Sequence, residues 1–222
     1  MGAAAVGGRV TAPPRGVFGG TFDPIHIAHL AVAEAARDAL GLEHVLFVPN
    51  RQPPHKPDQR VTPAADRLAM VRAAIAGNPA FDVSTIEIDR DGPSYTADTL
   101  EALRAEGLEA GGSGDLALIL SVEALAGLAT WHEPARVLEL ATLVVAPRDG
   151  FPDVGAEAIA RLVPGADARV VMLDGPRLRL SASEIRARAA AGRSLRYLVP
   201  DAVAAYIGDH DLYNEPRRMD RS

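Results

Sequence analysis

The sequence predicts an α/β fold with a mainly parallel sheet and helices on both of its faces. Short apolar runs typical of buried strands alternate along the chain with longer helical segments. A glycine turn joins the first strand to the first helix, and a second buried run follows that helix, which makes a β-α-β unit. Ligands of such sheets bind at the carboxyl ends of the strands, so we expect the functional site there.

The size of the chain suits one domain. With 222 residues, of which 48% are hydrophobic, it can bury a substantial core. We place this domain at residues 15–213, between a flexible leader (1–14) and a flexible tail (214–222). The oligomeric state is left open, a homo-oligomer included.

The composition excludes several classes of protein. A net charge of −6 argues against a nucleic-acid partner, and the absence of cysteine excludes disulfides and thiolate zinc sites. No apolar run reaches about 18 residues, so we expect no membrane span. Because the leader also lacks the pattern of a signal peptide, we expect a cytoplasmic protein.

The strands and helices are predicted from the spacing of apolar residues. Strands are expected over residues 15–18, 44–49, 81–88, 115–120, 143–146 and 169–172. The main helices are expected over residues 30–40, 63–76, 96–106, 133–140, 154–162 and 185–190, with a last one after Pro200.

Capping residues set the predicted ends of these helices. Gly41 is expected to end the first helix at its C-terminus. Thr62 and Pro63 are expected as N-cap and first residue of the second. Either Ser94 or Thr96 is expected to cap the third. Near the end of the chain, Ser183 is expected to cap the helix that carries Arg186 in its first turn, along with Ile185.

The segment at residues 16–30 has the features of a polyphosphate site. Gly19 and Gly20 end the first apolar run and let backbone N–H groups approach a ligand closely. Thr21 follows, and then His26 and His29 stand three apart at the start of a helix, on one face of it. A helix N-terminus suits phosphate. The segment is neither a Walker A loop nor a dinucleotide-binding Gly-x-Gly-x-x-Gly motif.

Two further segments carry charges suited to phosphate. Lys56 stands in a proline-rich loop after the second strand, where it could act as a point charge, although a solvated surface loop is the alternative. Arg186 opposes the dipole of its predicted helix, which makes sense if an anion binds at the same end. An ordinary capped helix with an exposed arginine is the alternative there.

Residues 19–30, Gly-Gly-Thr-Phe-Asp-Pro-Ile-His-Ile-Ala-His-Leu, closely resemble the GGTFDPIHxGHL signature of the nucleotidylyltransferase superfamily. The form of the motif is most similar to bacterial nicotinate mononucleotide adenylyltransferases. Further matches are a Pro-Pro-His-Lys segment (53–56), a Ser-Tyr-Thr-x-Asp-Thr-Leu segment (94–100) and a counterpart of ISSTxIR (180–186). The resemblance covers residues 15–213 and implies a Rossmann-like nucleotidylyltransferase fold.

The resemblance also implies roles for individual residues. Those expected to bind ATP are Gly19, Gly20, Thr21, Phe22, His26, His29, Ser183 and Arg186. Those expected to act in catalysis, by contacting phosphates and the leaving group, are His26, His29, Lys56 and Arg186.

The second substrate implied by the resemblance is nicotinate mononucleotide. Thr96 corresponds to a threonine associated with the pyridine carboxylate, and the backbone of His132 would hold the same group. Trp131 would stack on the pyridine ring, with a core anchor as the alternative. Glu123 would lie near the ribose.

The implied reaction is adenylyl transfer from ATP, giving the deamido-dinucleotide and pyrophosphate in NAD biosynthesis. Mg²⁺ is expected to arrive with ATP, and no dedicated metal site is expected. The chain departs from the family pattern at Ala28, Ser121 and Glu123, where glycine, glycine and aspartate are usual. Alternatives are therefore a related enzyme using nicotinamide mononucleotide or phosphopantetheine, or a catalytically weakened nucleotide-binding regulator.

Overall fold

A sheet of six parallel strands forms the centre of the molecule in a computed structural model that describes residues 14–52, 61–148 and 169–214. The strands in chain order are β1 (Arg15–Gly20), β2 (Val45–Pro49), β3 (Phe81–Val83), β4 (Leu116–Ser121), β5 (Ala141–Ala146) and β6 (Val170–Met172). Their spatial order is β3-β2-β1-β4-β5-β6. The predicted α/β class with a parallel sheet is confirmed.

The helices of the described residues connect these strands. They are α1 (Ile27–Leu40), α2 (Ala64–Ile75), α3 (Thr96–Glu109), α4 (Val122–Ala126), α5 (Pro134–Leu140), α6 (Ala182–Ala190) and α7 (Asp201–Asp209), with a 3₁₀ turn at Leu128–Thr130. The helix predicted over residues 154–162 lies outside the described residues. None of the helices within the described ranges is long and apolar enough to span a membrane.

The strand order reverses next to β1. Val17 of β1 is in register with Leu46 of β2 on one side and with Leu118 of β4 on the other. The chain thus adds β2 and β3 on one side of β1 and then crosses over to add β4, β5 and β6 on the other side. At such a switch point the loops after β1 and β4 diverge and leave a crevice at their carboxyl ends.

Each face of the sheet carries its own hydrophobic core. Leu116, Leu118 and Leu120 of β4 pack in a cluster with residues of α3, α4 and α5. Ala117 and Ile119, the alternate residues of the same strand, belong to a second cluster with residues of α1, α2, α6 and α7. Since successive strand residues point to opposite faces, β4 is buried on both sides. This explains its continuous apolar sequence and confirms that helices cover both faces.

The third strand is shorter than predicted. β3 ends at Val83, although the alternating pattern predicts a strand over residues 81–88. The Asp89 amide donates to the Thr85 carbonyl at 2.8 Å, and the Thr85 hydroxyl donates to the Asp89 carboxylate at 2.6 Å. These bonds close a turn, which removes the segment from the sheet.

Three of the predicted helix caps are wrong. Pro63 is the N-cap of α2 and Tyr95 that of α3, so neither Thr62 nor Ser94 nor Thr96 has the capping role. The N-cap of α6 is Ser181, not Ser183. In contrast, Gly41 ends α1 in the left-handed conformation (φ 59°), as predicted.

The capping box of α6 explains the error there. The Ser181 hydroxyl accepts from the Glu184 amide at 3.2 Å, and the Glu184 carboxylate accepts from the Ser181 amide at 3.2 Å. With Ala182 as the first helical residue, Arg186 lies beyond the first turn rather than in it.

Candidate active site

The two glycines that end β1 have different roles. A Cβ atom added to Gly20 would lie 3.0 Å from the Phe22 ring, so a side chain here would require this buried ring to shift. A Cβ atom added to Gly19 would meet no atom within 4 Å, and Gly19 is exposed. The backbone at Gly19 therefore borders open space at the carboxyl end of β1, where a ligand can approach closely.

Phe22 anchors the loop after β1 to the protein. It is 3% exposed and adopts a left-handed backbone conformation with φ of 49°. Its ring packs edge-on against Phe18 and His29, with centroid distances of 5.7 and 5.2 Å. Because its side chain is committed to these contacts, any ligand contact of Phe22 comes from its backbone.

His26 and His29 form a stacked pair at the N-terminus of α1. Their ring centroids are 3.7 Å apart and their planes differ by 18°, as expected for positions on one helix face. The His26 backbone N–H donates to Nδ1 of His29 at 3.2 Å. Neutral His29 therefore carries its proton on Nε2, and that N–H is a donor for an anion.

Burial keeps both imidazoles neutral. It lowers the pKa of His26 to about 4, and the positive charge of Arg148 adds to this effect. Burial likewise holds the pKa of His29 well below its usual value, helped by the neighbouring His26 and Arg148. Without an anion the pair is thus uncharged at neutral pH, and it presents hydrogen-bond donors to the site rather than two imidazolium charges.

Arg186 and Ser183 of α6 lie beside the loop after β1. Arg186 Nη1 donates to the Asp23 carbonyl oxygen at 2.6 Å, and Nη2 donates to the Ser183 hydroxyl at 3.3 Å. Ser183 is exposed and Arg186 is half-buried. The fold therefore joins the two predicted phosphate-binding segments, which are far apart in the sequence, at one place.

Arg148 is a cation that the sequence-based site prediction omits. It follows β5 and forms an ion pair with Glu123 of α4, in which both side chains remain partly exposed. Its charge also acts on both histidines. The signal available in the sequence was its position in the segment Pro-Arg-Asp-Gly, directly after a predicted strand.

Two segments that carry predicted pyridine-binding residues meet at the N-terminus of α3. Thr96 is the first residue of α3, and the ring of the preceding Tyr95 lies 4.2 Å from that of His132. Trp131 is half-buried and packs against the core cluster on this face of the sheet. Tyr95 is absent from the predicted site, although its ring adjoins the segment that carries Trp131 and His132.

The comparisons with known proteins agree with this geometry. Residues 17–188 match the model of the cytidylyltransferase-like family. A protein of Roseiflexus sp. (strain RS-1) named "Probable nicotinate-nucleotide adenylyltransferase" is 48% identical over 92% of this chain and 100% of its own length. The chain belongs to the nicotinate-nucleotide adenylyltransferase family. A relative of the same name from Thermomicrobium roseum is 46% identical over 92% of this chain and 93% of its own length.

Solved structures confirm the Rossmann-like nucleotidylyltransferase fold. The Plasmodium falciparum nicotinic acid mononucleotide adenylyltransferase complexed with NaAD matches with a TM-score of 0.71. The match covers 90% of this chain and 97% of that one, at 18% sequence identity. At this identity the likeness shows the fold, and the family assignment comes from the relatives above.

One departure from the family's sequence pattern has a local structural role. Ser121 is the N-cap of α4, and its hydroxyl accepts from the Ala124 amide at 3.3 Å. The hydroxyl thus satisfies a free amide that glycine would leave to another acceptor. Glu123 is engaged with Arg148, as described above. Nothing in the structure explains Ala28.

The remaining predictions about the site concern Lys56 and metal binding. Lys56, a predicted catalytic residue, lies outside the described residues. Within residues 14–52, 61–148 and 169–214, no group of three or more histidine and carboxylate side chains is arranged to hold a metal ion. His26, His29 and Arg186 offer imidazole and guanidinium donors beside the loop after β1, and such donors suit phosphate oxygens.

Proposed function

We propose that this chain transfers the adenylyl group of ATP to nicotinate mononucleotide, releasing pyrophosphate and nicotinate adenine dinucleotide, a step of NAD biosynthesis. The observation that carries the proposal is the stacked histidine pair at the carboxyl end of β1, with Arg186 beside it and open space over Gly19. The relatives named after this activity, at up to 48% identity, support it.

The site supports a direct displacement. The mononucleotide phosphate is already an anion at neutral pH, so its oxygen attacks the α-phosphorus of ATP without a base. The bond from that phosphorus to the oxygen of the β-phosphate breaks, and pyrophosphate leaves with the electron pair. Catalysis then depends on positioning, on hydrogen bonds donated by the neutral His26 and His29, and on charge neutralisation by Arg186, with Lys56 as a further cation.

The ATP-binding roles of the remaining loop residues follow from their positions. Gly19, Gly20, Thr21 and Phe22 contribute backbone amides at the carboxyl end of β1, and Ser183 contributes a hydroxyl next to Arg186. Mg²⁺ would be carried by the phosphates of ATP, because the donors of this site fit phosphate and a substrate-bound Mg²⁺ needs few protein ligands. It would supply further neutralisation of phosphate charge.

Recognition of the pyridine ring is assigned to the group at the N-terminus of α3. Trp131 stacks on the ring, and Thr96 with the backbone of His132 binds the carboxylate. A site built for a carboxylate rejects the amide, because its donors would then face an amide nitrogen. Glu123 reaches the ribose in competition with its ion pair to Arg148.

The experiment is pyrophosphate release from ATP with nicotinate mononucleotide, nicotinamide mononucleotide and phosphopantetheine. We expect turnover with nicotinate mononucleotide and about 100-fold lower kcat for His29→Ala, as for loss of a donor to developing negative charge. His44→Ala is the matched control, because His44 directly precedes β2, at the opposite end of that strand from the site, and is half-exposed. It should match the wild type.

Three outcomes would contradict the proposal. Equal turnover of the acid and the amide would remove the carboxylate specificity. An unchanged kcat for His29→Ala would remove the catalytic role of the pair. Binding of ATP without pyrophosphate release from any of the three substrates would favour a nucleotide-binding regulator, the alternative raised by Ala28, Ser121 and Glu123.

A further inference from the structure

Arg67 is a fully buried charged residue beneath the loop after β1. It lies in the first part of α2 and is 0% exposed. An arginine is rarely buried to this degree without partners, because removing its charge from water is costly. The hydrogen-bond partners of Arg67 therefore indicate the role of this buried side chain.

All five N–H groups of the guanidinium are matched by hydrogen bonds to three separate segments. Nε donates to the Thr62 carbonyl at 2.9 Å, before α2. Nη1 donates to the Thr21 carbonyl at 2.7 Å and to Asn50 Oδ1 at 3.3 Å. Nη2 donates to the carbonyls of Asn50 at 2.7 Å and Arg51 at 2.8 Å, after β2. The planar guanidinium of arginine has the five N–H donors that these five acceptor atoms need. The ammonium group of lysine has three donors and cannot reach all of them.

The bond to Thr21 sets the direction of the next amide. In a planar trans peptide the C=O and the following N–H point in opposite directions. With the Thr21 carbonyl turned inward to Arg67, the Phe22 N–H is turned away from the buried guanidinium. That amide belongs to the loop whose backbone borders the open space beside Gly19.

The neighbouring residues hold the same loop. The buried Asp23 carboxylate accepts from the Thr62 amide at 3.2 Å and from the Tyr213 hydroxyl at 2.7 Å. Asn50 Nδ2 donates to the Thr21 hydroxyl at 3.3 Å. The loop after β1 is thus tied to α2, to the end of β2 and to the C-terminal segment through one polar network.

We propose that Arg67 is a positioning residue for ATP, which fixes the backbone of the loop after β1 so that its amides meet the triphosphate. Arg67 does not touch the nucleotide and acts through Thr21 and Asn50. The inference rests on the proposed function in taking ATP as the ligand of this loop. A purely structural role would stabilise the fold without affecting ATP.

The test compares Arg67→Lys with Arg72→Lys. Arg72 lies on the same helix and is exposed, so the same change there is a matched control. Lysine keeps the charge but cannot bridge three segments. We expect the KM and the calorimetric Kd for ATP to rise about tenfold for Arg67→Lys, with a smaller change in the KM for the mononucleotide. Arg72→Lys should match the wild type.

A second variant tests the same proposal in case Arg67→Lys does not fold. Asn50→Ala removes the two side-chain hydrogen bonds of a half-buried residue and leaves Arg67 in place. It should weaken ATP binding about threefold, a part of the effect of Arg67→Lys. If Arg67→Lys does not fold, this variant decides the matter.

Wild-type ATP affinity in folded Arg67→Lys, with only a lower Tm, would overturn the proposal, as would unchanged ATP binding in Asn50→Ala. The calorimetric Kd separates this inference from the proposed function. A wild type that binds ATP without turnover would refute the adenylyl transfer, while the Kd values of the variants would still test the role of Arg67.

Discussion

Burial decides how the two histidines of the site behave. An imidazole at the surface would be partly protonated near its ordinary pKa of 6.5 and would attract phosphate by charge alone. Here burial lowers the pKa of His26 to about 4 and holds that of His29 well below 6.5. Without an anion, both rings are therefore neutral hydrogen-bond donors. The negative charge of an entering phosphate would favour the protonated imidazole, whereas burial disfavours it.

This burial predicts an acid-sensitive fold. The unfolded chain protonates His26 below pH 6.5, whereas the folded protein does so only near pH 4, so stability falls as the pH drops through this window. From pH 8 to pH 5 we expect a loss of about 2 kcal/mol from His26. Urea unfolding at both pH values should show a smaller loss for His26→Gln than for the wild type. Equal losses in the two proteins would show that His26 is not the source.

At the scale of single elements, α6 has two serines at its start with different roles. Ser181 has a structural role, and Ser183 is a predicted binding residue. Ser181 caps the helix, and its hydroxyl exchanges hydrogen bonds with Glu184. Ser183 is exposed, and its hydroxyl accepts a long bond, at 3.3 Å, from Arg186. Both serines fit the general preference for a helix start, but only Ser181 has glutamate three residues later.

The two serines should therefore give opposite results when replaced. Ser181→Ala should lower the free energy of unfolding by about 1 kcal/mol, since it removes the cap. Ser183→Ala should leave the stability nearly unchanged and raise the KM for ATP. Denaturant unfolding and steady-state kinetics on both variants measure this. A large stability loss in Ser183→Ala with an unchanged KM would reverse the assignment.

At the scale of the whole molecule, the C-terminal segment completes the support of the site. Tyr213 follows α7 and donates to Asp23, which stands 190 residues earlier in the chain. Burial and the Asp23 carboxylate raise the pKa of the Tyr213 hydroxyl, so it stays a donor. Residues near both ends of the domain thus meet beneath the loop after β1.

Tyr213→Phe should cost more stability than Tyr206→Phe. Both hydroxyls donate to an aspartate, Tyr213 to Asp23 at 2.7 Å and Tyr206 to Asp66 at 2.9 Å. Asp23 is 5% exposed whereas Asp66 is half-exposed, so water can replace the partner only for Asp66. We expect a loss of about 1–3 kcal/mol for Tyr213→Phe and less for Tyr206→Phe, measured by urea unfolding. Equal losses would show that burial of the carboxylate does not matter here.

The sequence by itself determined the features that depend on neighbours along the chain. The glycine turn after β1, the helical spacing of His26 and His29 and the stop at Gly41 follow from local geometry, and the apolar runs predicted all six strands in order. The family signature then identified the class of reaction. Such features are local because backbone dihedrals and side-chain periods act within a few residues.

Only the tertiary structure decided which distant groups face one another. The hydrogen bonds of Arg67 to four residues, the pairing of Arg148 with Glu123 and the contact of Tyr213 with Asp23 join residues between 5 and 190 positions apart. From the sequence alone a charged residue such as Arg67 is predicted to be exposed, since most charged residues are. Its burial depends on the packing of the whole chain, which the sequence does not show directly. For the same reason the local motif predicted a phosphate site at the loop after β1, whereas the buried hydrogen-bond network beneath that loop is visible only in the structure.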